Sequence, residues 1–573
     1  MAKAVILHTI DDVKHCVRHQ LHKDAKLFSA NVHVVYYLRY HFEVKCEDLC
    51  SYMDTQDYLG IEMAAFKASG LLLDKLDQKI TPILNEHLDL AVRYFNPLYS
   101  FTGGRQLSLY MILKHCLSLM LEQNCFETIL VYEGALGPLK ADLKAFLIRI
   151  FPDNKFYIIN YKKSSEMPTG VVISNNDIRA LGRQLQKNAD NVLNNPTLIQ
   201  RGTTTKNVLV FEPADKLIKF LKDKNVYYLE LNKTKDALCE YWINQDIFSI
   251  DDNWPNATFF QQDQGDLLLF LYETLRIDFS KNIAQYLPLL YQCKNFHIQN
   301  FINNVYWSTP FVNGVGALLF EFFITNGFTR VIGVQAQSTF FAGQLLGAYF
   351  AVTVFNRCHC YVTQGATQAD MKILGLDEVG NNTVVSPNVE VTKQFESMSL
   401  YDNRVVVDIA LFLRTTKSFL QVGYISACVK VQERLLEYLK DKMDIQIHIV
   451  TDEQPSFENF AMLTMLKKQK NITLIKEGGV NNYLKKYAPK LFFMDSHLAL
   501  TNDMLWKDTV LILLKDPLNV FYGRALEALH KSIYFAGNYH ELECLLQLYF
   551  EGKLDKKQDS TYLLQFAKHQ NVE

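Results

Sequence analysis

The sequence predicts an α/β protein whose chain folds into Rossmann-like units with parallel sheets. Short apolar runs alternate with helical patterns, most regularly from Asn304 onward, and this alternation is typical of parallel strands that helices cover on both faces. The chain has 573 residues, which is too long for one hydrophobic core at about 100–200 residues per domain. A polar connector at residues 390–402 separates two such runs, so we expect one domain over residues 1–395 and a second over residues 396–573.

The first domain is expected to begin with helices and then to change to strands. Apolar residues recur every three or four positions in Cys46–Leu90, so residues 1–100 are predicted to be mostly helical. The same spacing predicts a further helix over Gln106–Glu122. A strand at Thr128–Tyr132, a helix at Leu139–Ile150 and a strand at Phe156–Ile159 then predict a βαβ unit.

The later strands are predicted from short apolar runs that end at turn residues. They are Val208–Phe211, Val226–Leu231, Val305–Trp307, Arg330–Val334, His359–Thr363, Val405–Phe412, Ile445–Val450, Ile472–Ile475, Leu491–Met494 and Thr509–Leu514. Helices are expected at Gly314–Asn326, Tyr424–Lys440 and Glu458–Gln469. Because ligands of parallel sheets bind at the carboxyl ends of the strands, the loops at those ends are the first place to look for a site.

The composition excludes several classes of protein. Lysine and arginine total 59 against 61 for aspartate and glutamate, so no overall basic charge indicates a nucleic acid partner. The 11 cysteines show no disulfide-framework spacing, which favours a reducing compartment. The cluster Cys358-His359-Cys360 lacks the spacing and the second ligand pair of a zinc site, and no metal or other cofactor is expected. Met1–Ile10 lacks a signal-peptide pattern, and no apolar stretch reaches the ~18 residues of a membrane span, so a cytoplasmic location is expected.

Four loops at predicted strand ends carry hydroxyl, amide or charged side chains: Gln335–Thr339, Leu413–Ser418, Asp495–Asp503 and Lys515–Asn519. Free N–H groups at helix N-termini favour phosphate, and Arg414 and Lys417 would complement a diphosphate. For any one of these loops N-capping is the favoured explanation, but four of them in two adjacent Rossmann-like units favour a nucleotide site between the units. The chain has neither a Walker sequence nor a G-x-G-x-x-G motif, which argues against a P-loop triphosphatase and a conventional dinucleotide dehydrogenase.

The segments Val305–Leu319 and Arg330–Gln335 resemble bacterial surface-carbohydrate glycosyltransferases of the capsule and lipopolysaccharide type. The resemblance implies a GT-B-like fold, in which two Rossmann-like domains face each other across a cleft, here with extra N-terminal helices. It also implies that residues 1–395 form the acceptor side and that residues 396–573 bind the nucleotide sugar.

The resemblance also implies a set of site residues. In the family the glycine-valine-glutamine stretch continues into a histidine and glycines, whereas here Ala336 occupies the histidine position. The residues expected to bind the donor are Gln335, Gln337, Ser338, Arg414, Thr415, Lys417, Ser496, His497, Thr501 and Asp503. Glu133, at the end of a predicted strand, is the preferred candidate for the general base; it is equally compatible with a turn residue before Gly134, and Asp251, Asp252 and Glu273 are weaker candidates.

The function implied is metal-independent transfer of a sugar from a nucleotide-activated donor to a surface glycan. The expected partners are the nucleotide sugar and a glycan or lipid-linked glycan acceptor, and peripheral contact with the inner membrane stays open. Two alternatives remain: a nucleotide-sugar epimerase or polyol-phosphate transferase of the same fold, and a catalytically inactive subunit of a glycan assembly complex. Ala336 favours the inactive subunit, because alanine cannot act as a base or donate to phosphate.

Overall fold

The structure is a computed structural model. It describes residues 3–53, 55–154, 156–160, 171–173, 197–211, 221, 223–229, 241–243, 262–307, 314–326, 330–334, 358–363, 367–373, 384–387, 404–415, 422–457, 459–466, 469–475, 480–495, 509–515, 523–557, 559 and 561–562. Within these residues, three sheets that are mainly or wholly parallel define three units, which we call the first, middle and C-terminal units.

The first unit is a Rossmann-like domain. Its strands are β1 (Lys3–Leu7), β2 (Ala25–Ser29), β3 (Glu47–Asp48), β4 (Thr128–Tyr132) and β7 (Phe156–Ile159), with a short ribbon of β5 (Ala135–Leu136) and β6 (Ala141–Asp142). The sheet order is β3-β2-β1-β4-β7, and every pair is parallel. Its helices are α1 (Ile10–Arg18), α2 (Val32–Tyr37), α3 (Thr55–Leu88), α4 (Phe95–Gln123) and α5 (Leu143–Ile150).

The extra N-terminal helices are α3 and α4, which are inserted between β3 and β4. The carboxylate of Asp77, on α3, accepts hydrogen bonds from the N–H groups of Tyr94, Phe95 and Asn96 at distances of 2.8–2.9 Å. These N–H groups at the start of α4 have no intrahelical partner, so a side chain from the neighbouring helix fixes where α4 begins.

The middle unit contains a seven-stranded sheet. Its strands are β9 (Thr197–Gln200), β10 (Asn207–Phe211), β11 (Asn225–Leu229), β13 (Ile302–Trp307), β14 (Arg330–Val334), β15 (Cys360–Thr363) and β16 (Val384–Pro387), in the order β16-β15-β14-β13-β10-β11-β9. Only β9, at one edge, is antiparallel to its neighbour. A separate parallel pair is formed by β8 (Val171–Ile173) and β12 (Tyr241–Ile243), and the described helices are α6 (Gln262–Asn300), α7 (Gly314–Asn326) and α8 (Gln368–Ile373).

The C-terminal unit has the strand order of a complete Rossmann fold. Its strands are β17 (Val405–Phe412), β18 (Ile447–Val450), β19 (Ile472–Leu474), β20 (Tyr487–Met494), β21 (Val510–Leu514) and β22 (Tyr534–Ala536), all parallel in the order β19-β18-β17-β20-β21-β22. Its described helices are α9 (Val422–Leu439), α10 (Leu463–Leu466), α11 (Val480–Lys486), α12 (Gly523–Ser532) and α13 (Tyr539–Phe550).

Contacts link the units through elements at the carboxyl edges of their sheets. Glu433, on α9, accepts hydrogen bonds from the hydroxyls of Tyr36 and Tyr40 in the first unit, and it pairs with Arg39. Arg524, at the start of α12, forms a bidentate pair with Asp370 on α8, with distances of 2.5 and 3.2 Å. A continuous cluster of buried apolar side chains also joins the three units.

The predicted fold class, α/β with GT-B-like paired Rossmann-like units and extra N-terminal helices, is confirmed by these sheet orders. Most predicted strands lie within two residues of the observed ones. The division at residue 395 falls outside the described residues and stays a prediction; the described part of residues 1–395 contains two large sheets, of which one is wholly and the other mainly parallel.

Two details of the prediction are wrong. The first hundred residues are mostly helical, as predicted, but the prediction missed the strands β1, β2 and β3, which belong to the first sheet. Among the described residues of the segment predicted as the helix Glu458–Gln469, only Leu463–Leu466 is α-helical. Asn459 explains part of this difference, because its side chain accepts from the N–H of Ser456 at 2.6 Å and stabilises a turn in place of a helix. None of the described helices combines the length and the apolar character that crossing a bilayer requires.

Candidate functional site

Each Rossmann-like sheet has one position where the strand order reverses, and ligands bind there at the carboxyl ends of the strands. In the first unit this point lies between β1 and β4, and in the C-terminal unit between β17 and β20. In the middle unit it lies between β10 and β13, where the loops that follow Phe211 and Trp307 are outside the described residues.

Arg414 and Asp495 face each other across the reversal point of the C-terminal sheet. Both oxygens of the Asp495 carboxylate, after β20, accept from the N–H of Arg414, after β17, at 2.9 and 3.1 Å. The guanidinium of Arg414 donates to the main-chain oxygen of Asp495 at 3.4 Å. Gln432, on α9, donates to the same carboxylate at 2.6 Å, so strand ends and helix are held together by one acidic side chain.

The Asp495 carboxylate is 1% exposed. Burial raises its pKa from the ordinary 3.8 to about 6, although the charge and N–H of Arg414 and the amide of Gln432 favour the ionised form. Ionised Asp495 is therefore a costly buried charge that is kept in place by two donors, the N–H of Arg414 and the amide of Gln432.

Thr415 is fixed in the same manner by the strand on the other side. Its N–H and its hydroxyl both donate to the Asp452 carboxylate, after β18, at 2.9 and 2.5 Å. The main-chain N–H groups of Arg414 and Thr415 are thus bound to carboxylates.

His8 and Gly134 face each other at the reversal point of the first sheet. His8 follows β1, and its N–H donates to the Asp12 carboxylate at 3.0 Å while its main-chain oxygen accepts from the Asn31 side chain at 2.9 Å. Glu133 and Gly134 follow β4, and a Cβ atom built on Gly134 would lie 4.0 Å from Cδ2 of His8. Glu133 is exposed, and its N–H donates to the main-chain oxygen of Ile159 at 3.1 Å.

The loop that carries Glu133 is anchored from α4 by Gln106. The fully buried amide of Gln106 donates to the main-chain oxygen of Leu136 at 2.9 Å and accepts from the N–H of Leu139 at 3.0 Å. Gly137 lies between them with φ of +68°, where a Cβ atom would strike the Gln106 side chain. This position therefore requires glycine on two grounds, and the loop has a defined conformation.

The structure places three of the predicted site residues. Arg414 and Thr415 lie together in the C-terminal unit, and Glu133 lies in the first unit. The residues outside the described part of the chain are Gln335, Ala336, Gln337, Ser338, Lys417, Ser496, His497, Thr501 and Asp503, together with Asp251 and Asp252. Glu273, the remaining candidate base, pairs with Arg149 at 2.8 Å, and its role as a base stays a prediction.

Four residues at these edges were missed as site residues by the sequence analysis: His8, Gln432, Asp452 and Asp495. Asp495 and Asp452 follow predicted strands, and this position could have marked them as site residues. Their hydrogen-bond partners could not be predicted, because they depend on the pairing of β17 with β18 and β20. His8 follows a strand that was not predicted.

The cluster Cys358-His359-Cys360 is held within the protein by burial and by a hydrogen bond to the main chain. Cys358 and Cys360 are buried, and Nδ1 of His359 accepts from the N–H of Val331 at 3.1 Å. Over the described residues, no group of three or more His, Cys, Asp or Glu side chains is arranged to hold a metal ion. The expectation that the protein needs no cofactor stays a prediction.

No family model matches the chain, and no curated protein matches it. UDP-GlcNAc 2-epimerase from Neisseria meningitidis bound to UDP-GlcNAc is 13% identical, with a TM-score of 0.35, over 64% of this chain and 95% of that one. UDP-GlcNAc 2-epimerase from Methanocaldococcus jannaschii is 11% identical, with a TM-score of 0.33, over 62% of this chain and 97% of that one. The assignment of the fold rests on the strand orders given above.

Proposed function

We propose that the chain is an enzyme that binds a nucleotide-activated sugar at the carboxyl edge of its C-terminal sheet. The observation that carries the proposal is the position of Arg414 and Thr415 at the strand reversal point, fixed by Asp495 and Asp452 from the two neighbouring strands. Side chains held by packing and by such hydrogen bonds form pre-organised sites. Lys417, Ser496, His497, Thr501 and Asp503 belong to the same proposed donor site by their place in the loops after β17 and β20, and Gln335, Gln337 and Ser338 by the loop after β14.

The local charges suit a diphosphate. Arg414 precedes α9 in the chain, and α9 is an 18-residue helix whose N-terminus carries a partial positive charge. A departing nucleoside diphosphate is stabilised by such a combination of a cation and a helix terminus. Asp495 and Asp452 act as positioning residues, since their oxygens accept from the main-chain N–H groups of Arg414 and Thr415, the Thr415 hydroxyl and the Gln432 amide.

Two reactions use a donor bound in this manner. In glycosyl transfer, an acceptor hydroxyl is deprotonated and displaces the diphosphate, and Glu133 remains the proposed general base. In epimerisation, the bound nucleotide sugar is both substrate and product. The product mixture distinguishes the two: transfer yields free nucleoside diphosphate and a glycosylated acceptor, whereas epimerisation yields a second nucleotide sugar.

The first experiment measures nucleotide binding by calorimetry and thermal shift with UDP-GlcNAc, UDP, CDP, GDP and ADP. We expect at least one nucleotide to stabilise the protein, by about 2.7 kcal/mol at a concentration of 100 Kd. Arg414→Ala should weaken binding about tenfold or more, because a charged contact to phosphate is lost. Arg434→Ala, which removes an exposed arginine that lies over Tyr539 on the same unit, is the matched control and should bind normally.

The proposal fails if no nucleotide binds, or if Arg414→Ala and the parent chain have equal affinity. Incubation with labelled UDP-GlcNAc and chromatography of the products then separates transfer from epimerisation. Ala336→His tests the inactive-subunit alternative: turnover that appears only in this variant would show that the natural chain binds its donor without using it.

A further inference from the structure

The first unit contacts both elements that support the proposed nucleotide edge. One element is α9, whose Gln432 donates to Asp495 at 2.6 Å. The other is the loop after β18, whose Asp452 accepts from the N–H of Thr415 at 2.9 Å. Both elements pack against one short segment of the first unit, which consists of α2 and the π-helix that continues it. We call this segment, residues 32–42, the docking segment.

The docking segment holds α9 through Glu433. The carboxylate of Glu433 accepts from the hydroxyl of Tyr36 at 2.6 Å, from the hydroxyl of Tyr40 and from the guanidinium of Arg39 at 2.9 Å. The Glu433 side chain is only 14% exposed, and hydrogen bonds to a charged acceptor are stronger than bonds between neutral groups. Glu433 is the neighbour of Gln432 on the helix, so a movement of α9 that breaks these bonds also displaces the Gln432 amide.

A second contact with the first unit fixes the orientation of α9. The hydroxyl of Ser426, on α9, donates to the carboxylate of Asp48, at the end of β3, and both residues are buried. Ser426 lies about two helical turns before Glu433, which is roughly 10 Å along the helix axis. Two contacts at this separation restrict both the translation and the rotation of α9.

The docking segment reaches the loop after β18 through Phe457. The ring of Phe457 packs edge-on against Tyr37, with the ring centroids 5.3 Å apart, and against His41 at 5.8 Å. The rings of Tyr37 and His41 stack on each other at 4.8 Å. Phe457 also packs against a cluster of buried apolar side chains of the first unit, so a residue of the C-terminal unit is anchored in the first one.

Hydrogen bonds inside this loop connect Phe457 to the carboxylate that fixes Thr415. The N–H of Glu453 donates to the Asp452 carboxylate at 3.1 Å, and the side chain of Asn459 donates to the main-chain oxygen of Gln454 at 3.2 Å. Energetic coupling is carried by such chains of packed side chains and hydrogen bonds. A displacement at Phe457 is therefore transmitted along the loop to its first residues.

We propose that the docking segment positions the nucleotide edge of the C-terminal unit, through Glu433 on α9 and through Phe457 in the loop after β18. This role rests on the proposed function, because the edge concerned is the proposed nucleotide site. The residues of the docking segment are positioning residues: they act on the supports of Arg414 and Thr415. The first unit thus increases the affinity for the nucleotide without binding it.

The test is a double-mutant cycle on the full chain, with affinities measured by calorimetry for UDP-GlcNAc, UDP, CDP, GDP and ADP. We expect the docking variants, Tyr36→Phe/Tyr40→Phe and separately Phe457→Leu, to weaken nucleotide binding about threefold or more. In a chain that also carries Arg414→Ala, the same changes should weaken binding less than about twofold, because the guanidinium that they position is absent.

Tyr52→Phe is the matched control for the docking variants. It removes a tyrosine hydroxyl that donates to Glu47 at 3.2 Å within the first unit, and it should bind nucleotide as the parent chain does. Hydrogen exchange without nucleotide supplies a second readout. Peptides that contain residues 411–415 should exchange about threefold faster in the docking variants, and Tyr52→Phe should leave their exchange unchanged.

The proposed role of the docking segment is rejected if the docking variants bind nucleotide as tightly as the parent chain, or if residues 411–415 exchange at the parent rate. It is also rejected if the docking variants lower the affinity by the same factor with and without Arg414, which is the effect of a general loss of stability. A parent chain that binds no nucleotide rejects the proposed function and this role with it, whereas unchanged affinity in the docking variants rejects this role alone.

Discussion

The buried carboxylate of Asp495 should make the C-terminal unit less stable as the pH rises, and Asp495→Asn should remove that dependence. Its pKa is raised from 3.8 to about 6 in the folded chain, so the folded state binds a proton more tightly than the unfolded state does. The stabilisation by this group is complete below pH 3.8 and is lost as the pH rises through about 6. A difference of about two pKa units corresponds to about 3 kcal/mol.

The measurement is hydrogen exchange of peptides from β17 and β20 at pH 3.5–7.5, converted to free energies of local opening. The stability of Asp495→Asn relative to the parent chain should rise by about 3 kcal/mol over this range. A relative stability that does not change with pH would refute the reasoning, since it would mean that Asp495 ionises equally easily in both states.

Asp408→Asn is the control on the same strand. Asp408 accepts from the Lys490 ammonium at 2.7 Å and from the N–H of Gln446 at 3.1 Å, and these bonds lower its pKa. Its contribution to stability has the opposite sign: it is present above the unfolded pKa of 3.8 and is lost as the pH falls below that value. The two variants should therefore respond to pH in different windows and in opposite directions.

Three further predictions concern buried polar contacts. Asp77→Asn should destabilise α4 by about 2 kcal/mol in hydrogen exchange, because an amide cannot accept from all three N–H groups; unchanged protection would contradict the capping role. Gln106→Leu should increase exchange in residues 133–142 by about tenfold, since two buried bonds are lost, with protection of β17 as the internal control. Glu433→Gln should weaken the contact between α2 and α9 by about 1 kcal/mol, seen as faster exchange in both helices and in no strand of the middle unit.

Local sequence patterns predicted the strands well where each strand is strongly apolar, as in Thr128–Tyr132 and Val405–Phe412. They failed at β1 (Lys3–Leu7) and β2 (Ala25–Ser29), each of which carries a lysine near its start. These two strands are stabilised by pairing with each other and with β4, and strand propensity depends strongly on such tertiary context.

The candidate sites were predictable as loops but not as sets of contacting groups. The loops after Phe412 and Met494 were identified, yet only the pairing of β17 with β20 shows that Asp495 occupies the N–H of Arg414. His8 and Gly134 are far apart in the chain and meet because β1 pairs with β4. Neither of these two contacts can be predicted from the local spacing of residues, because each depends on strand pairing.

The insertion of α3 and α4 between β3 and β4 has a consequence for how the first unit forms during synthesis. Lys3 pairs with Thr128, so one side of the central strand β1 stays unpaired until the ribosome has made both long helices and β4. Contacts between residues this far apart form slowly, because a long loop must close first. The helical hairpin, fixed internally by Asp77, brings the two ends of that loop together, and we expect it to form before the sheet is completed.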